Sequence, residues 1–158
     1  AGRAQAAQMS DIFEPLGPKA GLQDGPNLIK VAAIYACDEH GRALCQLRDD
    51  FESVAAGGIW GLFGGKIEAG ESLRSAAVRE FYEETGIVIG ESDLEPMVEV
   101  ASSVLPDWRI YVFGLMRPVQ PDQIRLGEGA GFAFLTEAQI SDYDFIATYK
   151  QFFEKIFD

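Results

Sequence analysis

Basic side chains are scarce in this chain. Thirteen Lys and Arg stand against 25 Asp and Glu, and the net charge is −12. No cationic stripe runs through it, so a nucleic-acid backbone, which is held by lysine and arginine, is a poor partner. The same deficit disfavours docking on an anionic membrane. Cysteine is scarce too, with only Cys37 and Cys45. They flank Glu39-His40-Gly41-Arg42, which reads as a hairpin turn, and could face each other across it. Two thiols make no disulfide framework, and a pair of buried reduced thiols is the simpler reading. No apolar run reaches the ~18 residues of a membrane-spanning helix. The opening AGRAQAAQMS has no apolar core and does not read as a signal peptide. No repeat and no linker interrupts the chain. What is present is 158 residues, 47% of them hydrophobic, enough for one domain with a core of its own. The expected compartment is the cytoplasm. A small anionic substrate stays open if a metal or a local basic cluster screens the field.

Residues 1–27 are rich in Ala, Gly, Pro and Gln and read as an N-terminal extension with one short helix near Met9 to Phe13. A single domain is expected over 28–158. Leu28 to Ala36 is the first firm strand, and Ala43 to Leu47 is its hairpin partner. A polar loop then runs to Gly58. Ile59 to Phe63 reads as a short strand that Gly64-Gly65 breaks. Glu71 to Thr85 is the clearest helix, with Gly70 before it and Gly86 in the position after its end. Strands follow at Met97 to Ser102, Trp108 to Met116 and Ala130 to Leu135. Thr136 caps a short helix, and Asp142 to Phe157 reads as an amphipathic C-terminal helix. Strands, helix, strands, helix argue a mixed sheet with helices packed on it, an α/β fold.

On the central helix, Glu80, Glu83 and Glu84 share a sector of about 100°. Ala76 and Ala77 lie on the same side, one turn back. Carboxylates three and four residues apart repel by a few tenths of a kcal/mol on an isolated helix. A solvated acidic face is one reading. The other is a divalent-cation site, since Mg²⁺ takes hard oxygen ligands and lets substrate phosphates complete its shell. Gly64-Gly65, with Lys66-Ile67-Glu68-Ala69 leading to Gly70, reads as a loop whose amides could cradle phosphate before a helix N-terminus. It is not a P-loop, because no Gly-Lys-Ser/Thr follows at the required spacing.

These residues carry a family resemblance. Gly65, five residues, Glu71, seven residues, then Arg79-Glu80-Phe81-Tyr82-Glu83-Glu84-Thr85-Gly86-Ile87 resembles the complete signature of the Nudix hydrolases. The likeness extends back through Trp60-Gly61-Leu62-Phe63-Gly64-Gly65 and fades after Ile87. It implies an α/β/α sandwich around a mixed sheet, with the signature as a loop–helix–loop. It implies cleavage of a pyrophosphate bond in a nucleoside diphosphate linked to another moiety, with Mg²⁺ or Mn²⁺ as cofactor. Carried over by position, Glu80, Glu83 and Glu84 are the metal ligands, and Gly65 supplies backbone geometry and a carbonyl. Arg79 orients the carboxylates, and Glu71, with Gly64 and Gly86, is structural. One departure is Phe63, where many members have proline before the paired glycines. It leaves the metal positions intact and points to no specific substrate.

The remaining assignments rest on position in the chain. Glu83 or Glu84 could act as general base, and Glu128, in a glycine-rich loop ahead of a strand, is the further candidate. Glu99 competes less well. Lys66 and Arg48 are candidate phosphate contacts. Trp60, Phe63, Trp108 and Tyr111 are candidate stacking groups, although most strand aromatics are core. The expected partner is a phosphorylated small molecule, a nucleotide before others. A nucleoside triphosphate or oxidised nucleotide leads. A nucleotide sugar, a dinucleoside polyphosphate and a dinucleotide cofactor are the alternatives within catalysis. A non-catalytic nucleotide-binding regulatory domain is the alternative outside it. A homodimer stays open.

Overall fold

The computed structural model describes residues 11–17, 25, 27–48, 58–101, 106–127 and 131–158. Two sheets form. The larger has β1 (Glu14–Leu16), β2 (Ile29–Tyr35), β5 (Phe63–Lys66), β6 (Leu94–Ala101) and β7 (Trp108–Leu115) in the order β1-β6-β7-β2-β5. It is mixed: β1 with β6 and β2 with β7 run parallel, while β6 with β7 and β2 with β5 run antiparallel. The smaller sheet is antiparallel, β4 (Ile59–Gly61), β3 (Ala43–Arg48) and β8 (Gly131–Leu135) in the order β4-β3-β8.

Strand alternation divides the interior in two. In β2, Val31 and Ala33 join one core while Ala32 and Ile34 join the other; in β3, Ala43 and Cys45 part from Leu44 in the same way. Helix α1 (Leu73–Thr85) closes the second core with Ala76, Ala77 and Phe81. Helix α3 (Ala147–Ile156) closes the first with Tyr149, Phe152 and Phe153. A short α2 (Glu137–Asp142) precedes α3. Helices thus cover opposite sides of a mixed sheet, as the sequence led one to expect.

Several boundaries move, each for a local reason. No helix forms over Asp11–Phe13; β1 follows directly, inside the segment read as an extension, and pairs with β6 at the sheet edge. Met9 and Ser10 lie outside the described residues. Gly64-Gly65 does not break a strand: β5 runs through both glycines to Lys66, paired with β2. Helix α1 starts at Leu73 because Ser72 caps it. The Ser72 hydroxyl accepts from the Ser75 amide at 3.0 Å, and Ser75 Oγ accepts from the Ser72 amide at 2.9 Å. It ends at Gly86, whose φ of 75° suits the left-handed position. The last helix starts at Ala147, since the chain before it runs beside β4. Asp144 O accepts from Trp60 N at 2.8 Å, and Ile146 N donates to Trp60 O at 2.9 Å. β3 is not the hairpin partner of β2: the two part into different sheets, and only beside the turn between them does Cys37 face Ala43, not Cys45, with both thiols free. Among the described residues no helix is long and apolar enough to cross a membrane.

Candidate active site

The site is built where α1 lies against β5. Alternation in β5 sends Phe63 and Gly65 toward α1 and Gly64 and Lys66 toward the other face, following their partners Ile34, Ala32, Ala33 and Val31. At Gly65 the helix comes so close that an added Cβ would overlap the Glu80 carboxylate. Its φ is not positive. The position needs glycine for close approach, not for a left-handed backbone.

Glu84 is one turn along and 5% exposed. β5 is an edge strand, and its Gly64 amide donates to Glu84 Oε1 at 2.9 Å. That amide is therefore satisfied by a carboxylate, and the paired glycines are not the open phosphate cradle that the sequence suggested. Gln46 Nε2, from β3, donates to Glu84 Oε2 at 3.2 Å. Burial, then the Glu80 charge, push the Glu84 carboxyl up to about 8, against the Gly64 and Gln46 hydrogen bonds and the Arg48 charge. Glu83, next in sequence, is exposed.

Arg79 ties the cluster together. It grips Glu71 with two parallel bonds, Nε to Oε2 at 2.7 Å and Nη2 to Oε1 at 2.9 Å. Its Nη1 donates to Glu80 Oε1 at 2.8 Å and to Glu83 Oε2 at 3.2 Å, and Nη2 donates to the Lys66 carbonyl at 3.2 Å. The Glu71 bonds raise the Arg79 pKa first, with Glu80 adding to them against burial. Hydrogen bonding to Arg79 and to the Glu68 amide lowers the Glu71 carboxyl to about 2. Glu71 therefore works as the clamp that fixes Arg79, and Arg79 fixes the two carboxylates above it.

Among the described residues no three acidic, histidine or cysteine side chains already surround a common point. Arg79 Nη1 bridges Glu80 and Glu83, and Glu84 is turned inward. The donor set nonetheless suits a hard divalent ion. It consists of carboxylate oxygens on one helix, with the Gly65 backbone directly against Glu80.

The other expected residues divide. Arg48 lies on the face of β3 that carries Leu44 and Gln46, toward α1. Lys66 does not: it leaves β5 on the opposite face, with Nζ 5.2 Å from the centre of the Trp108 ring. Phe63 is 1% exposed and packs edge-to-face on Phe81 at 6.4 Å, so it is core and cannot stack on a substrate. Trp60 is half-buried beside Tyr143, ring centres 5.8 Å apart, on the face of its sheet away from Gln46. Tyr111 is buried under Phe13, and Glu99 sits on β6, three strands from β5. Glu128 lies outside the described residues, as does the loop 49–57. Its neighbour Gly127 donates to the Glu84 carbonyl at 2.9 Å, which brings that chain to the end of α1. Sequence reasoning missed Gln46, because nothing local marks a polar residue in a strand as pointing at a helix 38 residues away.

Comparison with known proteins bears on the family and the fold. The NUDIX domain family model matches residues 27–156. A stretch of 60 residues is 35% identical to an uncharacterized Nudix hydrolase of Bacillus subtilis strain 168, YvcI, and covers 35% of this chain and 38% of that protein. The match thus spans well under half of that relative. The crystal structure of the MutT protein from Methanosarcina mazei Go1 superposes with a TM-score of 0.65 at 26% identity, over 81% of this chain and 91% of that one. The solution structure of the E. coli ORF135 protein has the same fold, with a TM-score of 0.68 at 21% identity over 82% and 89%. The chain belongs to the Nudix hydrolases, a family of pyrophosphohydrolases that generally use divalent metal ions.

Proposed function

We propose that this protein hydrolyses a phosphoanhydride bond in a nucleoside diphosphate linked to another moiety, using Mg²⁺ or Mn²⁺. A nucleoside triphosphate or an oxidised nucleotide is the leading substrate class. The observation that carries the reading is the contact of α1 with β5. Glu80 lies against the bare Gly65 backbone, and Glu84 is pinned beside it in a chain that could leave both in water.

Glu80, Glu83 and Glu84 would hold the ion, with the Gly65 backbone beside them. When bound, it neutralises charge on the phosphates and lowers the pKa of water. The protein's own part is positional. Arg79, clamped by Glu71, holds Glu80 and Glu83 in place and balances part of their charge. Arg48, facing the α1 side, is placed to meet an anionic substrate in a protein of net charge −12. Glu83 is exposed and able to take a proton from water. Glu128 is the second candidate base, one residue beyond Gly127 at the end of α1. Trp60, beside Tyr143 on the face of the smaller sheet away from Gln46, does not share the carboxylates' side.

A panel of nucleoside triphosphates, oxidised nucleotides, nucleotide sugars, dinucleoside polyphosphates and dinucleotide cofactors, with Mg²⁺ or Mn²⁺ and products resolved by chromatography, tests the reading. Turnover must stop in excess chelator and return with the ion. Undiminished turnover in chelator would sink the metal chemistry. No turnover of any member would favour a binding role instead.

A further inference from the structure

We propose that Gln46 is a positioning residue for the metal site, holding Glu84 in the orientation that lets it bind a divalent cation. This rests on the metal-dependent reading above and adds to it a residue outside the signature.

Gln46 is central in the smaller sheet, between Gly61 of β4 and Phe132 of β8. The face it shares runs from apolar to cationic: Leu44 sits in the core under α1, Gln46 follows, and Arg48 comes last. The Gln46 side chain is 3% exposed, yet it carries an amide into an interior otherwise filled by Leu44, Phe63 and Phe81. Burying an amide there costs free energy unless it is hydrogen-bonded. Its Nε2 donates to Glu84 Oε2 at 3.2 Å, while the Gly64 amide donates to Oε1 at 2.9 Å.

The two donors come from different sheets and take different oxygens, so together they fix the plane of the carboxylate. Both are neutral. A carboxylate has about four acceptor sites, so two remain for an ion. A lysine or arginine at position 46 would hold Glu84 as firmly but would cancel the charge that attracts a cation. An apolar residue would leave one oxygen buried without its donor and free to turn. A neutral donor orients the ligand and leaves its charge intact.

The test uses Gln46→Met, which keeps length and removes the donor, on the full chain. Mn²⁺ binding is measured directly by titration calorimetry, beside melting curves with and without Mn²⁺ and steady-state rates. Gln46→Met should weaken Mn²⁺ binding about 10-fold or more and shrink the Mn²⁺-dependent melting shift. It should lower kcat while KM for the substrate changes less than threefold. In a Glu84→Gln background the same substitution should have no further effect on Mn²⁺ affinity, because its route is gone. Parent-like Mn²⁺ affinity in Gln46→Met overturns the proposal, as does an undiminished effect in the Glu84→Gln background. Should Gln46→Met fail to fold, Gln46→Leu carries the test. It lacks the donor and adds no oxygen or charge to the site, so parent-like Mn²⁺ affinity there overturns the proposal equally. Failure of the underlying reading is distinct: the parent itself would then bind no Mn²⁺.

Discussion

Gly64 and Gly65 are neighbours in one strand, and replacing each by alanine should damage different properties. A Cβ at Gly64 would fall 2.7 Å from Ala33 Cα and would also overlap the Ala32 carbonyl. Both belong to the backbone of β2, held between β7 and β5 in the larger sheet, which cannot step aside. Overpacking of this kind costs about 1–3 kcal/mol, more when the backbone must move. For a chain of this size, at about 3 °C per kcal/mol, that is a fall in Tm of roughly 3–9 °C. A Cβ at Gly65 meets the end of the Glu80 side chain instead. Glu80 can rotate away at small cost, and the backbone there is one that alanine adopts freely. The fold should survive, but the carboxylate proposed as ligand leaves its place.

Gly65→Ala is therefore expected to melt within about 3 °C of the parent, equivalent to about 1 kcal/mol or less. Its kcat should fall about 10²-fold, or about 2.7 kcal/mol of transition-state stabilisation at 1.36 kcal/mol per tenfold. Gly64→Ala should show the large melting loss. Calorimetric melting without metal and initial rates at saturating Mg²⁺ separate the two. If Gly65→Ala keeps kcat within threefold, or loses as much Tm as Gly64→Ala, the close approach of β5 to Glu80 is not what the site depends on.

Two further outcomes follow from the same geometry. Glu84 has a folded pKa of about 8 against an ordinary 4.5, so the folded state holds the extra proton between those values, and metal-free stability should decline as pH rises through that window. Glu84→Gln should remove that decline in metal-free melting curves from pH 4.5 to 8, while losing both the Mg²⁺-dependent melting shift and about 10²-fold in kcat. An unchanged pH slope would refute the buried, charge-opposed environment. Phe63→Ala, by contrast, should cost about 3–5 kcal/mol of stability through a cavity beside Phe81, with KM unchanged below the melting transition. A selective rise in KM in a stably folded Phe63→Ala would return that ring to the substrate.

The sequence made the helix and its charge visible because those signals are local. The period of Ala76, Ala77 and Phe81, the glycine at its end and the Glu80-Glu83-Glu84 spacing all sit within a few turns. The sheet was legible as strands but not as pairings. Nothing near Gly64 says that its amide will meet a carboxylate 20 residues on, so the paired glycines looked like a turn when they are strand. Lys66 looked like a phosphate contact from its place in the signature. Strand alternation, fixed only once β5 pairs with β2, sends it to Trp108 on the far face.

Glu83 and Glu84 show what decides such cases. They are adjacent, chemically identical and about 100° apart on the helix. The sequence offers no reason to treat them differently. One rotation step places Glu83 in solvent within reach of Arg79 and places Glu84 in the seam between two sheets. There Glu84 meets a backbone amide of one sheet and a side-chain amide of the other. The buried position costs free energy in the absence of an ion, since burial and Glu80 both disfavour its charge. A cation would reverse that balance. Such a site is tuned by neighbours that carry no charge themselves. Residues of that kind, Gln46 and Gly64 here, escape a reading that looks for clusters of ionisable groups, and only the paired strands bring them to the carboxylate.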